Sequence, residues 1–291
     1  MSQTEIVAVT VAIISAAVTV VGLIWQLALY KLSGARLQVR LRPAVLDDLG
    51  TLYRGPEHAR WILAKVPGPP LHRPSPRHID LAEVRITNIG RAAISVSDVE
   101  LDLGATGWRW WKRHTVRPKP FAAWGATADE VLRLDVGESR TVLFDVWSLL
   151  HHPMSRREFG DVTLRASAKP AGRRTRRSPW RRRWRYPAQR RTLLLDVEAT
   201  PELEAYRALW HETRGQEGPP IGFLAGWVAL QRVMESAEPS VDAFRDALKP
   251  ELGPAVHWTA HSVWSAFTSA AELQADRKGP SGSGNPDGSQ P

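Results

Sequence analysis

From Ile6 to Tyr30 the chain carries no charged residue, and its polar residues there are limited to Thr10, Ser15, Thr19, Gln26 and the terminal Tyr30. Only a helix satisfies all of its own backbone groups in lipid, and at about 1.5 Å per residue this one reaches about 37 Å against a hydrocarbon core of about 30 Å. The segment is therefore expected to span a membrane. Trp25 and Tyr30 lie toward its C-terminal end, where amphipathic rings favour the interface, and Lys31 follows directly. A cleavable leader would carry a basic segment before a shorter apolar stretch, whereas Glu5 is the only charge ahead of this one.

Lys31, Arg36, Arg40 and Arg42 follow the helix with no acidic residue before Asp47. The positive-inside rule then predicts a plasma-membrane protein with Met1 outside and the C-terminal part in the cytoplasm. The absence of cysteine agrees with a reducing compartment. Ala8, Ala12 and Ala16 recur at a spacing that lets two helices approach, although packing filler is the favoured reading, since alanine is common in any spanning helix.

Removing the helix leaves about 260 residues, enough for one large domain or two small ones without a disulfide or metal staple. At 43% hydrophobic and 24% charged residues, a folded body is expected rather than global disorder. The net charge of +9 is local: between Asp161 and Asp196 there is no acidic residue but there are twelve basic ones, so the remainder is net acidic.

Leu37, Val39 and Leu41 alternate with Gln38, Arg40 and Arg42, the period of a half-buried strand. A Pro- and Gly-rich connection, 67–76, follows a short apolar run at 61–66. Leu81, Val84 and Ile86 then precede Asn88-Ile89-Gly90-Arg91, and Ile94, Val96, Val99, Leu101 and Leu103 come after, which predicts a β-hairpin turning at Asn88–Arg91. Further strands are predicted at 131–134, 141–147, 162–168 and 192–197. Short strands with no long helical pattern between them predict an antiparallel β-sandwich over 35–199.

The runs Val84-Arg85-Ile86-Thr87-Asn88-Ile89-Gly90, Ile94-Ser95-Val96, Leu134-Asp135-Val136-Gly137-Glu138-Ser139 and Asp161-Val162-Thr163-Leu164-Arg165-Ala166 together resemble the immunoglobulin-like sandwich modules of membrane-anchored bacterial proteins of unknown function. Such modules often show a strand ending in Asn-x-Gly, a later Gly-Glu turn and a basic last hairpin. The resemblance covers about half of the chain, implies the architecture alone and brings no catalytic residues. The Cys pair of antibody domains is absent.

At Thr200 the pattern changes to helical, with Thr200 as cap, Pro201 in the first turn and Glu202 and Glu204 near the positive end. Helices are expected at 201–214, 221–236, 241–248 and 254–277, the last with Val256, Ala260, Val263, Trp264, Phe267, Ala270 and Ala271 on one face. The fold class expected is α+β in several parts: a short segment 1–5, a transmembrane helix 6–30, an immunoglobulin-like β-sandwich 35–199, a small helical subdomain 200–277 and a disordered tail 278–291.

The densest chemistry lies in Arg173, Arg174, Arg176, Arg177, Trp180, Arg181, Arg182, Arg183, Trp184, Arg185 and Tyr186, continuing to Arg190 and Arg191. Arginine interleaved with indole suits an anionic leaflet, where each basic residue contributes about 1 kcal/mol. Single-stranded nucleic acid is the less favoured partner of the same chemistry, and a solvated hairpin with tryptophans covering a sheet edge is the structural alternative. Trp108 to Arg113 forms a second aromatic and basic cluster, with one face in a core and Trp111 and Trp124 as candidates to extend the basic surface.

His257 and His261 have the helical spacing of two metal ligands but no third ligand at a diagnostic position, and the adjacent His151 and His152 diverge on a strand. Neither a phosphate loop, a G-x-S-x-G elbow, an H-E-x-x-H motif nor a cysteine nucleophile occurs, and Asp47-Asp48 and Asp129-Glu130 read as loop carboxylates. These features predict a membrane-anchored, non-catalytic interaction or scaffolding protein without cofactor or metal. Its expected partners are the lipid bilayer with its anionic headgroups, and a protein docking on the C-terminal helices, where Trp210, Trp227, Trp258 and Trp264 either make contact or fill a core. A polyanion-binding membrane protein and an enzyme with an unrecognised site are the competing readings.

Overall fold

A computed structural model describes residues 3–57, 77–105, 113–116, 131–147, 162–186, 192–194, 197–214, 222–236 and 238–278. It is α+β: an N-terminal apolar helix, two antiparallel sheets and four C-terminal helices among the described residues. The first helix, α1 (Gln3–Ser33), contains a segment, Ile6–Leu27, long and apolar enough to cross a membrane, none of it buried against the rest of the protein.

The first sheet has the order β2-β1-β3-β7, where β1 is Leu37–Asp47, β2 Leu52–Arg54, β3 His78–Asn88 and β7 Ser139–Asp145. The second sheet runs β10-β8-β4-β5, from Trp184–Tyr186, Val162–Pro170, Ile94–Ala105 and Arg113–Val116, with β6 (Leu132–Leu134) on β4 and β9 (Arg176–Arg177) on β8. Their shared core joins Val39, Leu41, Val84, Ile86, Val142 and Phe144 of the first sheet to Val96, Leu101, Leu134, Leu164 and Trp184 of the second.

Burial along β1 and β3 changes character midway. Alternation holds at the end next to α1, from Leu37 to Arg42 and from Val84 to Asn88, whereas Pro43 to Asp47 and His78 to Val84 are buried without interruption. The reason is a second covering layer. Ala44, Leu46, Ile79, Leu81 and Leu143 point away from the inter-sheet core into one shared with Leu209, Phe223, Trp227, Leu230, Phe244 and Val263 of the helices. These helices are α2 (Pro201–Thr213), α3 (Phe223–Met234), α4 (Val241–Leu252) and α5 (Val256–Lys278). Thr200 caps α2 as its sequence predicts, its Oγ1 accepting from the Leu203 N–H at 3.1 Å. Because three residues separate α1 from β1 and β1 runs ten steps to Asp47 at about 3.3 Å each, the helices cover the end of the sheet about 33 Å from where β1 starts.

The hairpin expected at Asn88–Arg91 does not form. β3 pairs with β1 and β7, and β4 with β5, β6 and β8, so the chain crosses from one sheet to the other there. The buried Asn88 side chain drives the crossing: its Nδ2 donates to Ala92 O and Leu134 O at 2.8 and 3.2 Å, and its Oδ1 accepts from the Gly90 N–H. Gly90 is required because a Cβ would come within 2.3 Å of the Arg36 nitrogen. Periodicity identified both strands but does not say whether neighbours in sequence share a sheet.

Candidate membrane-contact site

The basic segment is built on β8. Pro170 ends that strand, Gly172 turns it with a φ of 65°, and Arg173 N–H donates back to Pro170 O at 3.1 Å. β9 then lies opposite Ala168 and Ser167, Trp180–Arg182 form one 3-10 turn, and β10 returns along β8 with Trp184 opposite Leu164 and Tyr186 opposite Val162. The buried Ser178 fixes this course, exchanging its N–H and Oγ with Ala166 and accepting from Arg165 Nε at 2.9 Å.

Arg173, Arg174, Arg176, Arg177, Arg181, Arg182 and Arg185 are exposed, Trp180 is 51% exposed and Arg183 is half-buried. Trp184 is not part of that surface. It is 2% exposed and packs in the inter-sheet core, because β10 alternates and its neighbour Arg185 takes the outward position. The side chain of Tyr186, with Arg190 and Arg191, lies outside the described residues. Arg177 is committed to the buried Asp102 at 2.6 Å. Over the Trp180 ring stand the guanidiniums of Arg183 and Arg165, 4.2 and 5.4 Å from its centroid, so a stacking base would have to displace them.

The turn end of this segment meets the end of α1. Arg173 Nη1 donates to the Ala35 carbonyl, and a Cβ on Gly34 would lie 3.3 Å from Arg173 Nη2. From there the segment climbs away: Trp180 stacks on Arg165, five residues along β8 from Pro170, and Arg185 faces Thr163, seven along. At about 3.3 Å per residue these lie about 17 and 23 Å from the turn, beyond the Debye length of about 8 Å in physiological salt. Of the basic flank after α1, Arg40 and Arg42 also lie along β1, paired with Glu57 and Glu83.

A second polar cluster, which no local pattern signalled, sits between the first sheet and α2. Arg207 is fully buried. Its Nε donates to His78 O at 3.0 Å, its Nη2 to Asp80 Oδ2 at 3.0 Å and His78 Nε2 at 2.8 Å, and its Nη1 to Glu204 Oε1 at 3.4 Å. Since guanidinium only donates, His78 Nε2 is an acceptor and carries no proton. Glu204 also accepts from Trp147 Nε1 at 3.1 Å, and Asp80 from the Leu193 N–H at 2.9 Å. Burial pushes the Asp80 carboxyl up; Arg207 and the Leu193 N–H offset only part of this.

Nearby, burial also pushes Asp145 up, but the hydrogen bond and charge of His211, at 3.0 Å, together with Arg214 and the Trp147 N–H, leave it below the usual range. Residues so far apart in sequence reveal themselves only once the sheet and α2 are in place. Their bonds join the two layers, and a guanidinium held by several acceptors is a structural tie rather than a reactive group.

The remaining candidates disperse. His257 and His261 are exposed on α5. Trp227 is core, Trp210 and Trp264 pack against it, and Trp258 is 77% exposed. Asp47 is no loop carboxylate: it ends β1, buried, accepting from the Leu49 and Thr51 N–H groups at 3.1 and 2.6 Å. Of the aromatic cluster 108–113 only Arg113 is described, and the segment 61–66, Trp124, Asp129, Glu130, His151, His152 and the tail 279–291 lie outside the described residues. No family model, curated protein or solved structure matches the chain.

Proposed function

We propose that this is a single-pass membrane protein whose immunoglobulin-like sandwich lies in the cytoplasm and acts as a non-catalytic interaction or scaffolding module, its basic segment contacting the anionic leaflet. The observation that carries the reading is the bond from Arg173 to Ala35, which starts the most basic stretch of the chain at the exit of its one described apolar span. Arg174 and Arg176 follow within about 10 Å, where each contributes about 1 kcal/mol of attraction to anionic lipid. Arg181, Arg182 and Arg185 lie further along the segment and would need the body to tilt toward that edge to reach lipid. The guanidiniums already stacked on Trp180 favour lipid over nucleic acid as the partner. The helices at the far end, with Trp258, Leu224 and Val228 exposed, are the surface left for a protein partner.

The chain has no cysteine, so one introduced thiol reports on one place. An environment-sensitive probe on Arg174→Cys, in full-length protein reconstituted into vesicles, is expected to sit in a less polar setting in phosphatidylglycerol-containing bilayers than in phosphatidylcholine alone. Added salt should reverse the shift. Equal emission with and without anionic lipid would remove the electrostatic contact from the reading.

A further inference from the structure

Three loops converge where the chain leaves α1. The β3–β4 crossing is held there by Ile89 N–H to Arg36 O at 2.8 Å and Arg91 N–H to Gly34 O at 3.4 Å. The β6–β7 turn joins it through Asn88 N–H to Glu138 O and Gly137 N–H to Asn88 O, both at 2.9 Å. The β8–β9 turn is attached by Arg173 to Ala35. These bonds make the end of the two-sheet body a collar around Gly34–Arg36.

The residues the collar turns outward have a definite character. Ile89 is 55% exposed and Val136 59% exposed, large aliphatic side chains at the tips of two of the loops. Val136 is at the tip because Gly137, with a φ of 77°, supplies the third position of its turn, which Glu138 N–H closes on Asp135 O at 3.0 Å. Arg91, Ala92 and Ala93 are exposed beside Ile89, and Gly172, Arg173 and Arg174 on the third loop. Of the carboxylates on the β6–β7 turn, Glu138 is paired with Arg140 at 2.9 Å and Asp135 is exposed beside Val136. Apolar tips ringed by arginine match the layered chemistry of a bilayer interface, with acyl chains below and anionic headgroups around.

Position supplies the occupant. Gly34 lies four residues beyond Tyr30, about 6 Å along a helix, which is about the thickness of one headgroup layer. A collar bonded to Gly34–Arg36 is held at that depth by the span itself. We infer that Ile89 and Val136 insert into the membrane interface beside α1, so that the body is seated on the bilayer by its loops as well as tethered to it. The inference rests on α1 being a spanning anchor. It goes beyond the electrostatic contact in predicting insertion that does not need anionic lipid. Half-burial of the two side chains favours the seated orientation by about tenfold or more.

Single-thiol variants I89C, V136C and L49C of the full chain, each carrying a nitrobenzoxadiazole probe, are compared in proteoliposomes of phosphatidylcholine alone in high salt. Leu49 is as apolar and 85% exposed but sits just past the far end of β1, and L29C in α1 serves as the interfacial reference. Headgroup-level nitroxide lipid is expected to quench the probes at 89 and 136 to the extent seen at 29, and to leave the probe at 49 unquenched. If 89 and 136 behave as 49 does while the protein resists carbonate extraction, insertion is wrong and the anchor stands. If they are quenched only with phosphatidylglycerol in low salt, the contact is electrostatic and insertion is again wrong. Carbonate extraction of the protein overturns both. With I89S and V136S combined, quenching of a probe on R174C in phosphatidylcholine should fall to the level at 49; undiminished quenching would show that the aliphatic tips do not hold the collar down.

Discussion

Replacing Arg207 with methionine keeps most of the side-chain volume and removes a charge that is fully buried between α2 and the first sheet. Asp80, Glu204 and His78 then face one another without their shared donor. Removing one partner of a buried ion pair costs about 3–5 kcal/mol, because the charges left behind remain desolvated. For a body of this size about 2–4 °C of Tm is lost per kcal/mol, so R207M should lower the midpoint by about 6–20 °C. Circular dichroism of the full chain in detergent reads this from the sheet and helix signals together. The decisive comparison is the triple variant R207M, E204Q and D80N, which removes the charges as a set. It should recover a large part of the loss, since methionine beside neutral amides leaves no buried charge unpaired. A drop below about 3 °C for R207M, or a triple variant less stable than the single one, would refute the account of the cluster as one mutually dependent tie.

Two further outcomes follow from the geometry. Gly90→Ala places a Cβ against the backbone of Arg36 and Gly34, so it should cost more than about 2 kcal/mol in chemical denaturation, where alanine at an open glycine costs little. The Asp145 carboxyl lies below its ordinary value of 3.8 in the fold, so its contribution is complete above that value and is lost as pH falls through the lower folded value. Asp145→Asn should therefore flatten the decline of stability below about pH 4, as followed by urea titrations across that range.

The parts of this fold legible in sequence are those governed by local rules. Leu37-Gln38-Val39-Arg40-Leu41 declared a strand by its period, and Thr200-Pro201 declared a helix start by cap chemistry; both stand in the structure. Asn88-x-Gly90 was visible as a turn, but its handover from one sheet to the other depends on where Asn88 finds carbonyl partners, at Ala92 and at Leu134 far along the chain. Trp184 was misplaced for a related reason: composition groups it with the arginines around it, while the strand period turns it inward. The tie of His78, Asp80, Glu204 and Arg207 has no local signature. Each of its residues looks like ordinary surface until the second layer of helices covers the outer face of the sheet.

The stitching of Gly34–Arg36 to three loops also has a mechanical side. A tethered domain on a slack linker passes little torque to its membrane helix, whereas here the backbone emerging from α1 is bonded on several sides before the first strand begins. A load applied to the helices at the far end acts on a stiff arm of about 33 Å whose pivot is the few bonds around Gly34. With α1 spanning a bilayer as proposed, force on that arm would reach the bilayer as tilt or rotation of α1 instead of being spent in straightening a linker.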